Sequence, residues 1–367
     1  MRICDMSMKR IIQLVCFVSG LLLIHTVSFA QDFGERLQRL AEKNAPGYAG
    51  PLVTSLGLGL NSGVIKTAKL HGILGVDITV QVGLVALPDE AKTYLFDASE
   101  LGSFSVPITV GQQTISVTLD AAQLYPPVEA PTIFGAEDPP VLTPNESYAE
   151  NQIVQQVAQA LSVSPDVVRA QYGTDIQQAI QNYLYLDILP PGANINFFPA
   201  ASVRGSVGLP MGTEVTGHFV PPIALTPEIG SFTAWGIGGR ISLDQFIPVP
   251  MLPIDLAAGG FIQQVAIGPA TLGSYIVHAE ISKKLAVLDM FLGAGYEHTT
   301  FSADYDYSVT LPTGDVVQRT LSIRLNGENT YRVTGGLRVA MGPVFFSGEY
   351  TMGAYPLVMF STGISIR

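Results

Sequence analysis

Residues 74–84 read Leu-Gly-Val-Asp-Ile-Thr-Val-Gln-Val-Gly-Leu, and this stretch decides the fold. Leu74, Val76, Ile78, Val80, Val82 and Leu84 are large and apolar, whereas every residue between them is glycine or polar. Side chains alternate across a strand, so the segment has one apolar and one polar face. The same two-phase pattern recurs about ten times in all, mostly after Pro199. The later runs are Ala201–Leu209, Thr213–Val220, Ala234–Leu243, Ile254–Gln264, Ser274–Ser282, Leu288–Thr299, Thr330–Met341, Val344–Thr351 and Val358–Arg367.

The charges follow the phase. Asp77, Arg204, Glu214, Arg240, Asp255, Glu280, Asp289, Glu297, Arg332, Arg338, Glu349 and Arg367 all lie on the polar face, together with Gln81, His218 and His278. The apolar face carries Val76, Ile78 and Val80, with Trp235, Tyr275, Tyr296, Tyr331, Tyr350 and Phe360 toward strand ends. Periodicity alone fits either a soluble β-sandwich, with the apolar face inside, or a membrane β-barrel, with that face in lipid.

Composition favours the barrel. Only 13% of the chain is charged, against roughly 25% in typical soluble domains. No later stretch supplies the ~18 consecutive apolar residues of a spanning helix. The N-terminus reads as an export signal: Lys9 and Arg10, an apolar run from Ile11 to Ile24, and the small-x-small site Ser28-Phe29-Ala30. Cleavage after Ala30 removes both cysteines, Cys4 and Cys16, leaving no disulfide and no thiolate site. It also moves the net charge from −11 to −13, by removing three basic residues and one acidic one. That charge argues against nucleic acid as a partner.

The expected organisation is a signal (residues 1–30), an N-terminal helix and hatch-like segment (31–72), the first barrel strand (73–86), an insert (87–199) and the remaining strands (200–367). The fold class is all-β: a transmembrane antiparallel β-barrel of about ten strands, with an α+β insert after the first. Asp32–Lys43 has the spacing of a short amphipathic helix, and Tyr48–Gly63 fits a strand or an inserted hatch. The insert holds a hairpin over Phe104–Leu119, turning near Gly111-Gln112, a Pro-rich stretch from Pro126 to Pro144, and two or three helices between Tyr148 and Leu184. Ser164-Pro165-Asp166 is a helix start. The insert fits a plug or an extracellular cap.

Connections alternate in length, as periplasmic turns and outer loops do. Asp244–Pro253 is longer than such a turn should be, Val265–Gly273 reads as a connection, and Thr300–Asn329 reads as strands prolonged outward. Glycines on the polar phase either make room for lumen contents or relieve curvature strain. The mixed charges read chiefly as ion pairs that hold the barrel.

No catalytic constellation stands out, so an enzyme is not expected, nor any cofactor or metal. His278 near Ser274 and Ser282 is the best nucleophilic pair and a weak one. Asn145-Glu146-Ser147 matches a glycosylation sequon by chance.

The runs Leu60-Asn61-Ser62-Gly63, Thr67-Ala68-Lys69, Gly75-Val76-Asp77-Ile78 and Leu87-Pro88-Asp89-Glu90-Ala91-Lys92-Thr93 resemble an uncharacterised family of Gram-negative outer-membrane proteins. Phe197-Phe198-Pro199, Gly208-Leu209-Pro210 and Gly212-Thr213-Glu214 extend the likeness over most of the chain. These are turn and packing signals, so they imply fold and location without an activity. The segment before the first strand is more distantly similar to the long-chain fatty-acid transporters, whose N-terminal hatch fills the lumen. The large insert and the smaller number of strands depart from that pattern, as does the terminal Arg367 where many barrels carry an aromatic residue. The expected role is a passive channel or transporter for small or hydrophobic molecules. The alternative is a non-transporting anchor whose insert does the work. The implied partners are outer-membrane lipid and the barrel-assembly machinery, with the ligand open.

Overall fold

A computed structural model describes residues 43–111, 113–224, 231–247, 254–310 and 316–366. The export signal, almost all of the Asp32–Lys43 helix, Gln112 and Arg367 lie outside the described residues. Helix α1 (Ala45–Leu60) precedes strand β1 (Val76–Ala86). The insert then carries β2 (Thr93–Phe96), β3 (Ser103–Val110), β4 (Gln113–Asp120), α2 (Ala121–Leu124), β5 (Val128–Pro131), α3 (Glu146–Leu161) and α4 (Pro165–Tyr183). Eight further strands follow: β6 (Phe197–Leu209), β7 (Thr213–Ala224), β8 (Ser231–Ser242), β9 (Asp255–Ile267), β10 (Ala270–Leu285), β11 (Leu288–Thr310), β12 (Val316–Asn326) and β13 (Tyr331–Met341). The last two are β14 (Val344–Met352) and β15 (Leu357–Ile366).

Ten of these strands close a barrel. The order β1-β6-β7-β8-β9-β10-β11-β13-β14-β15 returns to β1, which pairs antiparallel with both β6 and β15. Val76, for example, faces Val207 on one side and Ile366 on the other. Strand β12 stands outside the ring and pairs only with the outer part of β11, Thr300–Thr310, so this connection does prolong the strands.

Burial separates the barrel from the sandwich. Asp77 is 1% exposed and Arg204 5%, whereas Ile78 is 58% exposed and Phe360 62%. A soluble fold reverses this, because water solvates charge and expels apolar surface. A continuous exterior of exposed Val, Ile, Leu and Phe is a lipid-facing wall. Tyr275, Tyr296 and Tyr331 form a row on three neighbouring strands, with ring centroids 6.2 and 5.6 Å apart. From Tyr275 to Leu285 the wall rises about 25 Å at a typical strand tilt, the height of an apolar band. No described helix is long and apolar enough to cross a membrane, which says nothing about strands.

Three expectations need correction. Of the two readings of Tyr48–Gly63, the strand falls: the segment is chiefly helix α1, despite its glycines and Pro51. Val265–Gly273 is not a connection: β9 and β10 pair from Ile267↔Ala270 onward, so the turn is only Gly268-Pro269, with Gly268 at φ 54°. This places one tight turn at the end of the barrel where the longer connections lie, and loop length therefore does not alternate strictly. The insert ends before residue 199, because Phe197, Phe198 and Pro199 extend the ladder against Ala86, Val85 and Leu84.

The chain divides into two compact units. Among the described residues, 50–88 and 195–366 form the barrel unit, and 43–49 joins 89–194 in the second. Within that second unit, Asn44 exchanges side-chain hydrogen bonds with the Asp97 backbone (2.9 and 2.8 Å), and the Tyr48 hydroxyl donates to the Pro191 carbonyl at 3.0 Å. Its core buries Val117 and Leu119 of β4 with Ile153, Val157, Ile176 and Ile180 of α3 and α4. Gln156 of α3 bonds both the N–H and the carbonyl of Thr118 (2.9 and 2.8 Å), which satisfies an edge of the hairpin. Asn145, the sequon residue, caps α3 by accepting from Tyr148 N at 3.1 Å.

The exterior assignment is testable. Ile78→Arg puts a charge on the lipid-facing side and should destabilise the folded barrel by ~2–4 kcal/mol, measured by urea titration in lipid vesicles. Unchanged stability would contradict a lipid-facing Ile78.

Candidate functional site

The lumen is filled by the chain that precedes β1. Helix α1 passes the rim of longer connections, where Thr54 Oγ1 accepts from Glu328 N at 3.0 Å, and ends at Leu60 further inside. Residues 61–72 then run along the inside of the wall to the opposite rim. There Leu74 N donates to the Gly208 carbonyl at 3.0 Å before β1 begins. This stretch is neither helix nor strand beyond Leu60, so its backbone lacks ladder partners. Irregular backbone at membrane depth persists only where its polar groups are satisfied.

The wall supplies those partners according to charge. Arg332 donates to the Asn61 and Leu58 carbonyls at 2.7 and 3.0 Å, and Arg204 donates to the Leu60 and Ser62 carbonyls. These carbonyls belong to the C-terminal end of α1, which is negatively polarised and has no intrahelical partners. Carboxylates take the amides: Glu349 accepts from Gly63 N at 2.9 Å, Glu280 from Lys66 N at 2.9 Å and Glu214 from His71 N at 3.3 Å. Neutral groups complete the set, with Gln81 donating to the Ser62 carbonyl at 3.0 Å and Ser282 accepting from Ala68 N at 3.0 Å. The Asn61 side chain bridges Ser274 and Gln263, at 2.8 Å to each.

Ion pairs link these contacts. Arg240 binds Glu214 at 2.6 Å, reaches Glu280 with its other terminal nitrogen, and donates to the Thr67 carbonyl at 3.0 Å. Arg332 Nε lies 2.8 Å from Glu297. Arg338 lies 3.5 Å from Asp77 and stacks over Phe345, 3.8 Å from the ring centroid.

An apolar layer lies among the charges. Val64 and Ile65 of the threading segment pack with Phe261, Ile276 and Phe291 of the wall. Inward glycines make room for these rings. A Cβ on Gly238 would sit 2.4 Å from Phe261, one on Gly336 2.3 Å from Phe291, and one on Gly363 2.9 Å from Phe345. Gly57 and Gly59 serve α1 in the same way, lying against Thr299 and Ala200. A cavity of about 20 Å³ lined by Gly63, Lys66, Thr79, Gln81, Arg338 and Glu349 leaves room for about one water.

Of the residues placed on the polar phase from sequence, Asp77, Gln81, Arg204, Glu214, Arg240, His278, Glu280, Glu297, Arg332, Arg338 and Glu349 are buried, while His218 and Asp255 are half-buried. Of those on the apolar phase, Val76, Ile78, Trp235, Tyr275, Tyr296, Tyr331, Tyr350 and Phe360 are exposed and Val80 is half-exposed. Sequence reasoning missed the contribution of the threading segment itself: Asn61, Ser62, Lys66 and His71. It also missed the inward Ile276 and the inward Phe261, Phe291 and Phe345, the last three signalled only by a ring on a phase otherwise rich in glycine. His278 is not assembled with a serine. Ser274 bonds Asn61 and Thr299, Ser282 bonds Ala68, and neither ring nitrogen of His278 makes a hydrogen bond. Among the described residues, no group of three or more His, Asp or Glu side chains is placed to hold a metal.

The model of a family of unknown function, DUF6588, matches residues 8–366. The chain belongs to that family. Comparison with curated proteins finds no match. Among solved structures the chain is similar to a loop-deletion mutant of OmpT, an outer membrane protein of Vibrio cholerae, at 10% identity and TM-score 0.23, over 45% of this chain and 53% of that one. It spans about half of that Vibrio chain. It is also similar to Neisserial surface protein A, at 12% identity and TM-score 0.20, over 42% of this chain and 91% of that one. The corresponding values for Ail, the attachment invasion locus protein of Yersinia pestis, are 11% and 0.21, over 44% and 93%. The strand ladder, rather than these likenesses, establishes the barrel.

The grip on the threading segment gives a second prediction. Arg332→Met leaves two helix-end carbonyls and Glu297 without their cation, a loss of about 3–5 kcal/mol for a buried pair broken on one side. Hydrogen exchange at residues 58–66 should rise at least tenfold in this variant while the β-strand amides stay protected. Unchanged exchange in that segment would show that the guanidinium does not hold it.

Proposed function

We propose that this chain is an outer-membrane channel held shut by its own N-terminal segment. One observation carries the reading: the lumen is occupied by a length of backbone that is not part of the strand ladder and that, beyond its covalent join to β1, is held to the wall by hydrogen bonds, ion pairs and a small apolar contact. A barrel that only anchors can fill its interior with wall side chains. Here the wall instead has glycines opposite its large residues and directs its charges at a removable occupant. The lipid-facing exterior and the export-type N-terminus support the outer membrane. The short turns at Pro210–Gly212, Ala286-Val287 and Gly342-Pro343 then face the periplasm. The charged wall suits small polar solutes better than long acyl chains, whose passage would desolvate those charges.

A second reading rests on a different observation. Residues 89–194 form a unit with its own core and carry thirteen acidic residues against two basic ones. Such a unit can act at the surface on a barrel that never opens.

Planar-bilayer recording separates the two readings. The wild-type chain should be closed with rare openings, and Arg204→Ala/Arg332→Ala should raise the open time at least tenfold. If both stay silent while a heat-modifiable gel shift reports a closed barrel, the channel reading falls and the surface-anchor reading stands.

A further inference from the structure

The charges of the lumen are unevenly divided between the wall and the segment that fills it. Among the described residues, six buried wall carboxylates (Asp77, Glu214, Glu280, Asp289, Glu297 and Glu349) face four buried wall guanidiniums (Arg204, Arg240, Arg332 and Arg338). The threading segment brings Lys66 and His71 to this excess. Lys66 Nζ donates to Ser206 Oγ at 3.1 Å and lies 3.5 Å from Glu214 and 3.9 Å from Asp77. His71 Nδ1 lies 2.6 Å from the second oxygen of Glu214, and its Nε2 lies 2.8 Å from Ser365 Oγ and 3.8 Å from Asp77. The wall keeps two cations at this place, Arg240 on Glu214 and Arg338 beside Asp77.

The ammonium is therefore a ligand on a tether. It meets one hydroxyl and two carboxylates of three wall strands, and its backbone is otherwise held by exchangeable hydrogen bonds. Asp77 Oδ2, on a side chain 1% exposed, makes no hydrogen bond at all. The cavity of about 20 Å³ lies beside Lys66. When the segment withdraws, Glu214 loses the His71 amide and the Lys66 charge together, and Asp77 keeps one cation, Arg338 at 3.5 Å, and the Thr79 hydroxyl, which donates to its Oδ1 at 2.5 Å. Uncompensated carboxylates in a narrow, low-dielectric lumen attract cations and exclude anions.

We propose that Asp77, Glu214 and Ser206 form a binding site for a primary ammonium or a comparable small cation, filled at rest by Lys66, and that the opened lumen passes cations in preference to anions. This rests on the reading of a stoppered channel. The wall guanidiniums fix the carboxylates without saturating them, and the segment competes with the passing solute for the same oxygens.

The test uses the full chain with residues 62–72 replaced by a Gly-Ser sequence of equal length, which leaves every wall charge in place. Across a KCl gradient, the reversal potential should show potassium favoured over chloride by about threefold or more, as charged rings impose in cation channels. n-Butylammonium should block the current, and Asp77→Asn/Glu214→Gln should weaken both the preference and the block. Equal or chloride-favouring permeability overturns the cation site and leaves the stoppered channel intact. A closed barrel that conducts nothing overturns the channel reading and the site with it. Should the replacement not fold, Lys66→Ala in the otherwise intact chain decides. n-Butylammonium, and not butyrate, should then restore the thermal midpoint lost with the lysine. The absence of that rescue overturns the proposal.

Discussion

The structure depends on the satisfaction of one irregular backbone segment inside a lipid-facing wall. An unpaired carbonyl or amide at that depth costs several kcal/mol, and residues 58–71 present many of them. The wall answers with guanidiniums for carbonyls and carboxylates for amides. Arg204 and Arg332 grip the end of α1, while Glu349, Glu280 and Glu214 follow the chain down the lumen at Gly63, Lys66 and His71. The mixed charges on the strands are thus not only a ladder of internal ion pairs. Arg240, Glu214, Glu280 and Arg332 each serve a backbone group as well as an opposite charge, and removing one of them leaves more than one group unpaired.

Steric fit follows from the same requirement. A ten-stranded barrel is somewhat wider than one that side chains alone fill, yet narrow for a helix end. The interior glycines reconcile the two. Those at 238, 336 and 363 let Phe261, Phe291 and Phe345 lie flat on the wall, and those at 57 and 59 bring α1 against Thr299 and Ala200. The choice between curvature relief and room for contents resolves toward room at these positions, because a methyl group there would meet a ring or a neighbouring strand.

Much of the wall was legible in the sequence because its signal is local. Alternation in Leu74–Leu84 and its successors needs no knowledge of distant residues, and the ten barrel strands fall where the alternation lies, within a few residues at their ends except for β11, which runs on to Thr310. Which face meets lipid is not a local property, and only burial of Asp77 and Arg204 with exposure of Ile78 decides it. Helix α1 was hidden for a related reason. Four glycines and Pro51 give Ala45–Leu60 poor intrinsic helix propensity, and tertiary burial of residues such as Val53 and Leu58 overrides it. The threading segment was harder still. Nothing local marks Asn61, Ser62 or Lys66 as lumen contacts until the wall around them is known. Gly268-Pro269 failed in the opposite way: weakly alternating flanks concealed a two-residue turn.

The chemistry of the grip bears on whether the segment is permanent. Apolar burial is a small part of the hold: among residues 61–72 the buried apolar side chains are Val64, Ile65 and Ala68, and Val64 and Ile65 pack into the shared cluster. The rest is polar, and polar contacts exchange with water at little net cost, because water can satisfy the same donors and acceptors once it enters. A segment sealed by hydrocarbon would need a large apolar surface exposed before it could leave. One held by Arg204, Arg332, Glu214 and Glu349 needs only hydration of groups that are already ionic. On the proposed channel reading, the same contacts that make the closed barrel well ordered also let water enter the lumen, and the wall carboxylates freed by that opening are what a solute meets.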